Sequence, residues 1–210
     1  MKKYVNLFVF VFMIGACLSQ GRAQTKSAVS YKNPVVDIAM PDPTVIKAAD
    51  GYFYVYATES TRNVPIMKSK DLVEWTYCNT AFTNKTRPRF EPKAGIWAPD
   101  INYINGKYVL YYAMSVWGGE QTCGIGVATA DSPQGPFTDH GKMFRSNEIG
   151  VQNSIDPSLL QYEGRNYLVW GSFRGIYVIE LTADGLSIMP GAKKKRIAGT
   201  AFEAVYIHKH

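Results

Sequence analysis

Three segments of the chain repeat one pattern of apolar and polar residues. Each begins at an acidic residue, continues as a short apolar strand, turns at a glycine and returns as a strand rich in aromatic and β-branched residues. The segments are DPTVIKAADGYFYVYAT from Asp42, DINYINGKYVLYYAMS from Asp100 and DPSLLQYEGRNYLVWGS from Asp156. This pattern is typical of a β-hairpin. We therefore predict three hairpins, with turns at Gly51, Gly106 and Gly164.

The spacing of the repeat predicts blades of a β-propeller. The three leading acids lie 58 and 56 residues apart, which leaves room for a second hairpin in each unit. The candidates for it are IMKSKDLVEW after Pro65, GIGVATADSPQGPF at 124–137 and GIYVIELTADGLSI at 175–188. Several short strands per unit without helical periodicity favour an all-β propeller. A β-sandwich whose segments are alike by chance is the alternative.

Residues 34–210 hold about three such blades and the start of a fourth. The fourth begins at Glu203, where the apolar and aromatic segment AVYIHKH predicts another inner strand. A propeller closes on itself so that its sheets leave few exposed edges. We therefore expect a partial propeller domain over 34–210, the amino-terminal part of a longer protein.

The amino terminus has the pattern of a leader peptide. Two lysines precede an apolar run, and small residues follow it, which predicts a signal peptide over residues 1–23 and a linker over 24–33. The segment IGAC at 14–17 also resembles a bacterial lipobox, which would make Cys17 a lipid anchor. We expect an exported bacterial protein, either periplasmic, extracellular or an outer-membrane lipoprotein. It meets a membrane only if Cys17 is lipidated.

The charge and the cysteine content of the chain do not point to nucleic acid or to a structural metal as a partner. The formal charge of +6 falls to +3 without residues 1–23, which hold three basic residues and no acid, so nothing indicates nucleic-acid binding. The basic run KKKR at 193–196 is interpreted as a solvated loop, with a polyanion site as the alternative. Cys78 and Cys123 lie after the leader, and they neither indicate a disulfide nor suffice for a structural zinc site.

The propeller hypothesis gathers the leading acids. The first strand of each blade runs along the central channel, so matched residues at its start form a ring at one end of the axis. Asp42, Asp100 and Asp156 are then neighbours, and Glu203 is a fourth acid at a similar place. Clustered carboxylates repel each other and lose solvent, which is tolerated where their shifted pKa values or a bound cation serve function.

The chain resembles glycoside hydrolase family 43, the five-bladed propeller glycosidases of plant-wall polysaccharides, and especially its arabinanase and arabinofuranosidase branches. The matching motifs, in order, are MPDPTVI (40–46), SKDLVEW (69–75), WAPDI (97–101), NSIDPSLL (153–160), GSFRGIYVIEL (171–181) and FEAVYIHK (202–209). Each motif is weak alone. Their order and their spacing by blades make the resemblance specific.

The resemblance implies three catalytic carboxylates in an inverting hydrolysis. Asp42 matches the general base, Glu203 the general acid, and Asp156 the residue that orients the acid and raises its pKa. An inverting enzyme needs a carboxylate that activates water on one face of the sugar and a protonated carboxyl that serves the leaving oxygen on the other. Asp100 matches the repeat but not these positions, and we expect a structural or substrate-side role, with an Asp-capped turn favoured.

Sugar sites also need flat apolar faces and hydrogen-bonding groups. Trp97, Trp117 and Phe173 lie near the predicted axial ends of strands, where each is expected either to stack on a sugar ring or to pack between blades. Arg174 is a candidate donor to a sugar hydroxyl, with simple solvation as its alternative. With Asp100, these residues form the predicted substrate-binding set.

The sequence thus favours a hydrolase of α-L-arabinofuranosidic linkages in arabinan or arabinose-bearing polysaccharide, of the arabinan endo-1,5-α-L-arabinosidase type. An exo-acting α-L-arabinofuranosidase or β-xylosidase is the neighbouring hypothesis. A hypothesis of another class is an inactive truncated propeller or a carbohydrate-binding module. No metal ligand is assigned in this chain, although the resemblance implies that a longer protein could hold Ca²⁺.

Overall fold

A computed structural model describes residues 30–208, which form three four-stranded antiparallel sheets and one short helix. The first sheet contains β1 (Thr44–Lys47), β2 (Phe53–Tyr56), β3 (Pro65–Ser69) and β4 (Trp75–Thr80). The second contains β5 (Gly95–Ile104), β6 (Lys107–Ser115), β7 (Gly124–Ala130) and β8 (Thr138–Arg145), and helix α1 (Ser146–Ile149) follows it. The third contains β9 (Ser158–Tyr162), β10 (Arg165–Trp170), β11 (Ile176–Glu180) and β12 (Lys195–Ala198).

Each sheet is an up-and-down meander, as a propeller blade requires. Neighbouring strands in every sheet are consecutive in the chain, and all pairs are antiparallel. The first hairpin of each blade turns where the glycines predicted it, and Gly51, Gly106 and Gly164 have left-handed φ values of 84°, 83° and 74°. Strands β1, β5 and β9 form the inner edges, and β5 lies between the other two. The predicted all-β blades are confirmed.

Four strand predictions need correction. The fourth strand of the first blade is Trp75–Thr80, which shares only Trp75 with the predicted segment 66–75. The fourth strand of the second blade is Thr138–Arg145, beyond the predicted segment 124–137. The fourth strand of the third blade is Lys195–Ala198, so half of the basic run assigned to a loop lies in an outer edge strand. An outer strand faces solvent and tolerates charge, which hides it from a search for apolar residues. The segment after Glu203 forms no strand over its described residues, up to 208.

The second blade separates two apolar cores through the alternating faces of β6. Side chains on one face of a strand are two residues apart, so successive residues point in opposite directions. Leu110 and Tyr112 pack against the first blade, where the rings of Phe82 and Tyr112 meet edge-on with 5.7 Å between centroids. Val109 and Tyr111 face the third blade and its buried Trp170. Blade-to-blade packing is therefore built from both faces of one central strand.

The remaining expectations concern cysteines and the leader. Cys78 and Cys123 are both free thiols in the structure. Among the described residues, no helix has the length and hydrophobicity to cross a bilayer. The predicted signal peptide over residues 1–23 and the lipobox at Cys17 lie outside the described residues.

Gly171 is required by close backbone packing at the end of β10. Its φ is +124°, and a Cβ there would lie 2.2 Å from the carbonyl oxygen of Gly175. Its N–H donates to the carbonyl of Ile155 at 2.9 Å, directly before Asp156. The backbone behind Asp156 is thus held by a residue that has no room for a side chain.

We expect Gly171→Ala to lower the free energy of unfolding by about 2–5 kcal/mol, because left-handed strain and a backbone clash add together. The matched control is Gly51→Ala, where φ is also positive but nothing lies within 4 Å of an added Cβ. That control should cost only about 1–2 kcal/mol. Urea denaturation measures both, and equal losses would contradict the clash.

Candidate active site

The inner strands of the three blades line a groove with a volume of about 700 Å³. Residues 42–47, 98–103 and 156–159 of the three blades form its walls, and the segment 204–207 completes them. Asp42, Asp100 and Asp156 all reach this groove, as the repeat predicted. The propeller arrangement thus brings acids from three blades to one surface.

Each wall of the groove starts with a residue in the left-handed backbone conformation. Asp42, Ala98 and Asp156 have φ values of 49°, 39° and 56°, and a proline follows each of them. Ala204 has φ 51° at the matching place after the third blade. The prediction that Asp100 is equivalent to Asp42 and Asp156 was therefore wrong. In the second blade Ala98 occupies the equivalent corner.

Asp156 is the corner acid with the most perturbed ionisation. Its pKa is raised to about 7, mainly by burial and also by the charges of Glu203 and Asp42, while a backbone hydrogen bond opposes the shift. That bond is donated by the Ala204 N–H to Oδ2 at 3.2 Å. Asp156 therefore ionises at a higher pH than an ordinary aspartate, and it contacts the backbone directly after Glu203.

Asp42 and Glu203 are exposed, and each accepts a hydrogen bond from a hydroxyl. Thr58 Oγ1 donates to Asp42 Oδ2 at 2.6 Å, and Ser172 Oγ donates to Glu203 Oε2 at 3.0 Å. Both residues are exposed, and Asp42 lines the groove while Glu203 directly precedes its lining residue Ala204. The three carboxylates thus lie in different environments. Those of Asp42 and Glu203 are exposed, and that of Asp156 is largely desolvated.

Asp100 is buried and makes only contacts within the protein. Its carboxylate accepts hydrogen bonds from the Leu159 N–H and the Asn102 side chain, both at 2.7 Å, and from the Thr44 hydroxyl at 3.5 Å. Burial raises its pKa to about 6. The favoured Asp-capped turn is corrected, because Asp100 lies inside strand β5. Asp100 connects all three blades, so its described contacts are structural.

The predicted aromatic residues lie on exposed or half-buried surface. Trp117 is 93% exposed, and its ring lies 5.6 Å from that of Trp97, centroid to centroid, with an interplanar angle of 52°. Phe173 is 48% exposed, and its N–H donates to the carbonyl of Phe202, next to Glu203, at 2.9 Å. Indole faces left open to water are surfaces on which a sugar ring can stack.

Arg174 is held by an acidic partner from the second blade. Its guanidinium contacts both carboxylate oxygens of Glu120, with distances of 2.9–3.2 Å. Glu120 also accepts a hydrogen bond from Gln152 at 2.5 Å. This two-blade pair fixes the loop that carries Ser172 and Phe173. A role for Arg174 in binding a sugar stays a prediction.

A buried ion pair supports the rim behind Thr58. Both side chains, Glu59 and Arg87, are less than a tenth exposed, and the guanidinium meets the carboxylate with two nitrogens. Glu59 also accepts the N–H of Ile96, in β5, at 3.0 Å. Burial alone would raise the pKa of Glu59, but Arg87 and the backbone N–H groups lower it. This pair joins the loop after β2 to the first strand of the next blade.

Among residues 30–208, no group of three or more histidine, cysteine, aspartate or glutamate side chains is arranged to hold a metal ion. No chemical step below passes through a metal.

Thr58 and Ser172 escaped the sequence prediction. A signal for them was available, because the three repeated segments all end in a hydroxyl residue: Thr58, Ser115 and Ser172, spaced 57 residues apart. The acids at the start of each repeat indicate the site, and the hydroxyl at the end of each repeat recurs with the same period. The carboxylate partners lie 16 and 31 residues away in sequence, so the contacts are visible only after folding.

Comparison with known proteins agrees with this architecture. The family model for glycosyl hydrolases family 43 matches residues 31–210. The extracellular endo-α-(1→5)-L-arabinanase 1 of Bacillus subtilis is 38% identical over 140 residues, which are 63% of this chain and 43% of that protein. The chain therefore spans less than half of this relative's length.

Two solved structures are also similar. A Cellvibrio cellulosa α-L-arabinanase complexed with arabinohexaose has a TM-score of 0.67 and 28% identity, covering 77% of this chain and 54% of that one. An exo-1,5-α-L-arabinanase from a bovine ruminal metagenomic library has a TM-score of 0.64 and 29% identity, covering 78% and 57%. The three sheets are thus blades of the five-bladed propeller fold that was predicted.

We expect Asp156→Asn to become more stable relative to the wild type as the pH rises from about 4 to about 7. A carboxyl whose folded pKa lies above its unfolded pKa stabilises the fold below the unfolded value, and this contribution is lost as pH rises through the folded value. The neutral amide has no such loss. Urea unfolding at a series of pH values measures the difference.

The contrasting control is Asp71→Asn. Backbone N–H groups of Glu74 and Val73 lower the pKa of Asp71, so its contribution is present above about pH 4 and is lost only as the pH falls further. The difference between this variant and the wild type should stay constant from about pH 4 to 7. If the Asp156→Asn difference were equally constant, Asp156 would not ionise in that range.

Proposed function

The chain belongs to glycosyl hydrolase family 43, and we propose that it acts as an inverting glycosidase on the α-L-arabinofuranosidic linkages of arabinan. The observation that carries this proposal is the arrangement at the groove. Asp42 and Asp156 line it, and Glu203 is close enough for its charge to raise the pKa of Asp156. The names of the similar arabinanases support the choice of substrate.

We propose that Asp42 is the general base and Glu203 the general acid. Asp42 takes a proton from a water molecule whose oxygen attacks the anomeric carbon. The bond to the leaving oxygen breaks on the opposite side, and that oxygen receives the proton of Glu203. Inversion requires room for the water, with about 6.5–9.5 Å between the two carboxyl groups. Both carboxylates are exposed, so water and a glycan can reach them.

Asp156 is proposed to tune and orient Glu203. Its carboxylate accepts the Ala204 N–H, which holds the backbone adjoining Glu203 against the third blade. Since like charges disfavour each other's ionisation, a carboxyl beside Glu203 helps the acid to keep its proton. The contact and the raised pKa of Asp156 both support this role.

The substrate-binding residues are proposals on the same basis. Trp97 and Trp117 form an exposed aromatic pair on which arabinose units can stack, and Phe173 presents a second exposed ring. Arg174 is proposed to donate a hydrogen bond to a sugar hydroxyl while it is paired with Glu120. Asp100 is proposed to support the floor of the groove rather than to touch the sugar, because its contacts are internal.

Endo action on linear arabinan is our first choice, by similarity to the Bacillus subtilis relative. Exo action is a second candidate, because one similar structure is named an exo-1,5-α-L-arabinanase. An α-L-arabinofuranosidase or β-xylosidase on the same fold belongs to this exo alternative. Loops that deepen a groove into a pocket would favour release of single sugars.

Export is proposed from the leader pattern of residues 1–23, with a mature domain over 34–210, and from the word extracellular in the name of a relative. The periplasm, the medium and the outer membrane are the candidate destinations, the last through a lipid on Cys17. Mass spectrometry of the mature amino terminus distinguishes cleavage after Ala23 from lipidation of Cys17.

A carbohydrate-binding or inactive propeller is the proposal of another class. The observation that favours it is that inner-strand residues such as Val45 and Tyr103 are half exposed in the described blades. Expression of the 210 residues, and of any continuation of the reading frame, tests both possibilities.

We expect the protein to cleave linear arabinan, and Asp42→Ala and Glu203→Ala each to lower kcat by at least about 100-fold, since each removes a proton-transfer group. Product chromatography distinguishes endo from exo action, because short oligomers indicate endo cleavage and arabinose alone indicates exo cleavage.

The control is Asp131→Ala, at an exposed acid after β7 that pairs with Lys107. It should leave kcat unchanged. Arabinan bound but not cleaved would favour the non-enzymatic alternative. Cleavage that survives both carboxylate substitutions would show that the catalytic assignment is wrong.

A further inference from the structure

The hydroxyls at the ends of the second strands have different partners in the three blades. Thr58 and Ser172 donate to the carboxylates of Asp42 and Glu203, whereas Ser115 donates to the carbonyl of Val116 at 3.0 Å. The blade whose corner residue is Ala98 has no corner carboxylate for its hydroxyl to meet. The hydroxyls of Thr58 and Ser172 thus contact the two carboxylates that are proposed to react, and the matched hydroxyl of Ser115 contacts none.

Thr58 makes the more constrained of the two contacts. Its oxygen accepts the N–H of Ala98 at 2.7 Å while its hydroxyl donates to Asp42 Oδ2 at 2.6 Å. A hydroxyl has a single proton. Because the Ala98 N–H occupies one lone pair of Oγ1, the hydroxyl proton is directed to the carboxylate, and the two linked hydrogen bonds strengthen each other.

The backbone of Thr58 holds the other side of Asp42. Its N–H donates to the carbonyl of Pro41 at 2.9 Å. Asp42 is therefore fixed at two points by one residue, through the peptide bond before it and through its own Oδ2. Oδ2 is engaged, and Oδ1 has no described hydrogen bond within the protein, so it is the oxygen that can face a water molecule.

The chain of contacts crosses from one blade to the next. Asp42 and Thr58 belong to the first blade, and Ala98 starts an inner wall of the second. Ala98 has a left-handed backbone with φ 39°, and it is this corner residue that donates its N–H to Thr58. The orientation of the Asp42 carboxylate therefore depends on how two blades pack.

We propose that Thr58 is a positioning residue for Asp42. Its hydroxyl is fixed by the Ala98 N–H and thereby holds the Asp42 carboxylate in the orientation that activates water. This proposal rests on the proposed function, since it takes Asp42 as the general base. Thr58 itself touches no reacting atom.

The test compares Thr58→Val, Thr58→Ser and Ser115→Ala. Valine keeps the branched shape and removes the hydroxyl, so we expect kcat on linear arabinan to fall about 10- to 100-fold with KM changed by less than about threefold. In the plot of kcat against pH, the fall in kcat on the acid side (the acid limb) should move to higher pH. Serine restores the hydroxyl and should return kcat to within about threefold of the wild type.

Ser115→Ala removes the matched hydroxyl of the second blade, which meets no carboxylate, and should leave kcat and the pH profile unchanged. A purely structural role for Thr58 would lower the melting temperature without moving the acid limb. Unchanged kcat and pH profile in a folded Thr58→Val protein would overturn the proposal.

Crystal structures of Thr58→Val and Thr58→Ser provide a readout that needs no activity. We expect the Asp42 carboxylate to leave its present orientation in the valine variant and to keep it in the serine variant. An unmoved carboxylate in Thr58→Val shows that Thr58 does not position it, whatever the enzyme does. A wild-type protein that cleaves no arabinan refutes the proposed function, while the crystal structures still decide the role of Thr58.

Discussion

The left-handed backbone at the corner where each wall of the groove begins is the constraint on which the groove depends. Asp42, Ala98, Asp156 and Ala204 all adopt positive φ, a region that costs a residue with a Cβ about 1–2 kcal/mol. Three of them precede a proline, which restricts their backbone further. Such strain persists only where the surroundings hold it. Here hydrogen bonds between neighbouring blades and segments hold the corners, as with the Ala98 N–H on Thr58 and the Ala204 N–H on Asp156.

The same corner carries different chemistry in different blades. Its backbone is alike in the first, second and third blades, yet the side chain is a carboxylate in two of them and a methyl group in the other. The acid of the second blade, Asp100, lies two residues further along and is buried as a link among blades. The backbone thus provides equivalent positions, and each blade fills its own with either a carboxylate or a methyl group.

Packing between blades determines how firmly these positions are held. Strand β6 places Tyr111 and Tyr112 in two separate cores, so the second blade is fixed from both sides. The ion pairs Glu59–Arg87 and Glu120–Arg174 add polar links at the rim. Because the first of these is almost fully buried, loss of one partner would leave an uncompensated charge. The orientation of Asp42 is therefore a property of two blades together.

The sequence by itself determined the blades, their first hairpins and the gathering of acids, because alternating apolar residues and glycine turns are local signals with a strong period. It also indicated the family, since six short motifs that resemble the family occur in order. It could not reveal the charged edge strand β12, because that strand faces solvent and lacks the apolar pattern. Only the tertiary structure decided that Ala98 is the corner of the second blade, that Asp100 is internal, and that Thr58 and Ser172 reach the carboxylates. Those facts depend on backbone conformation and on contacts between distant segments, which no local pattern of residues records.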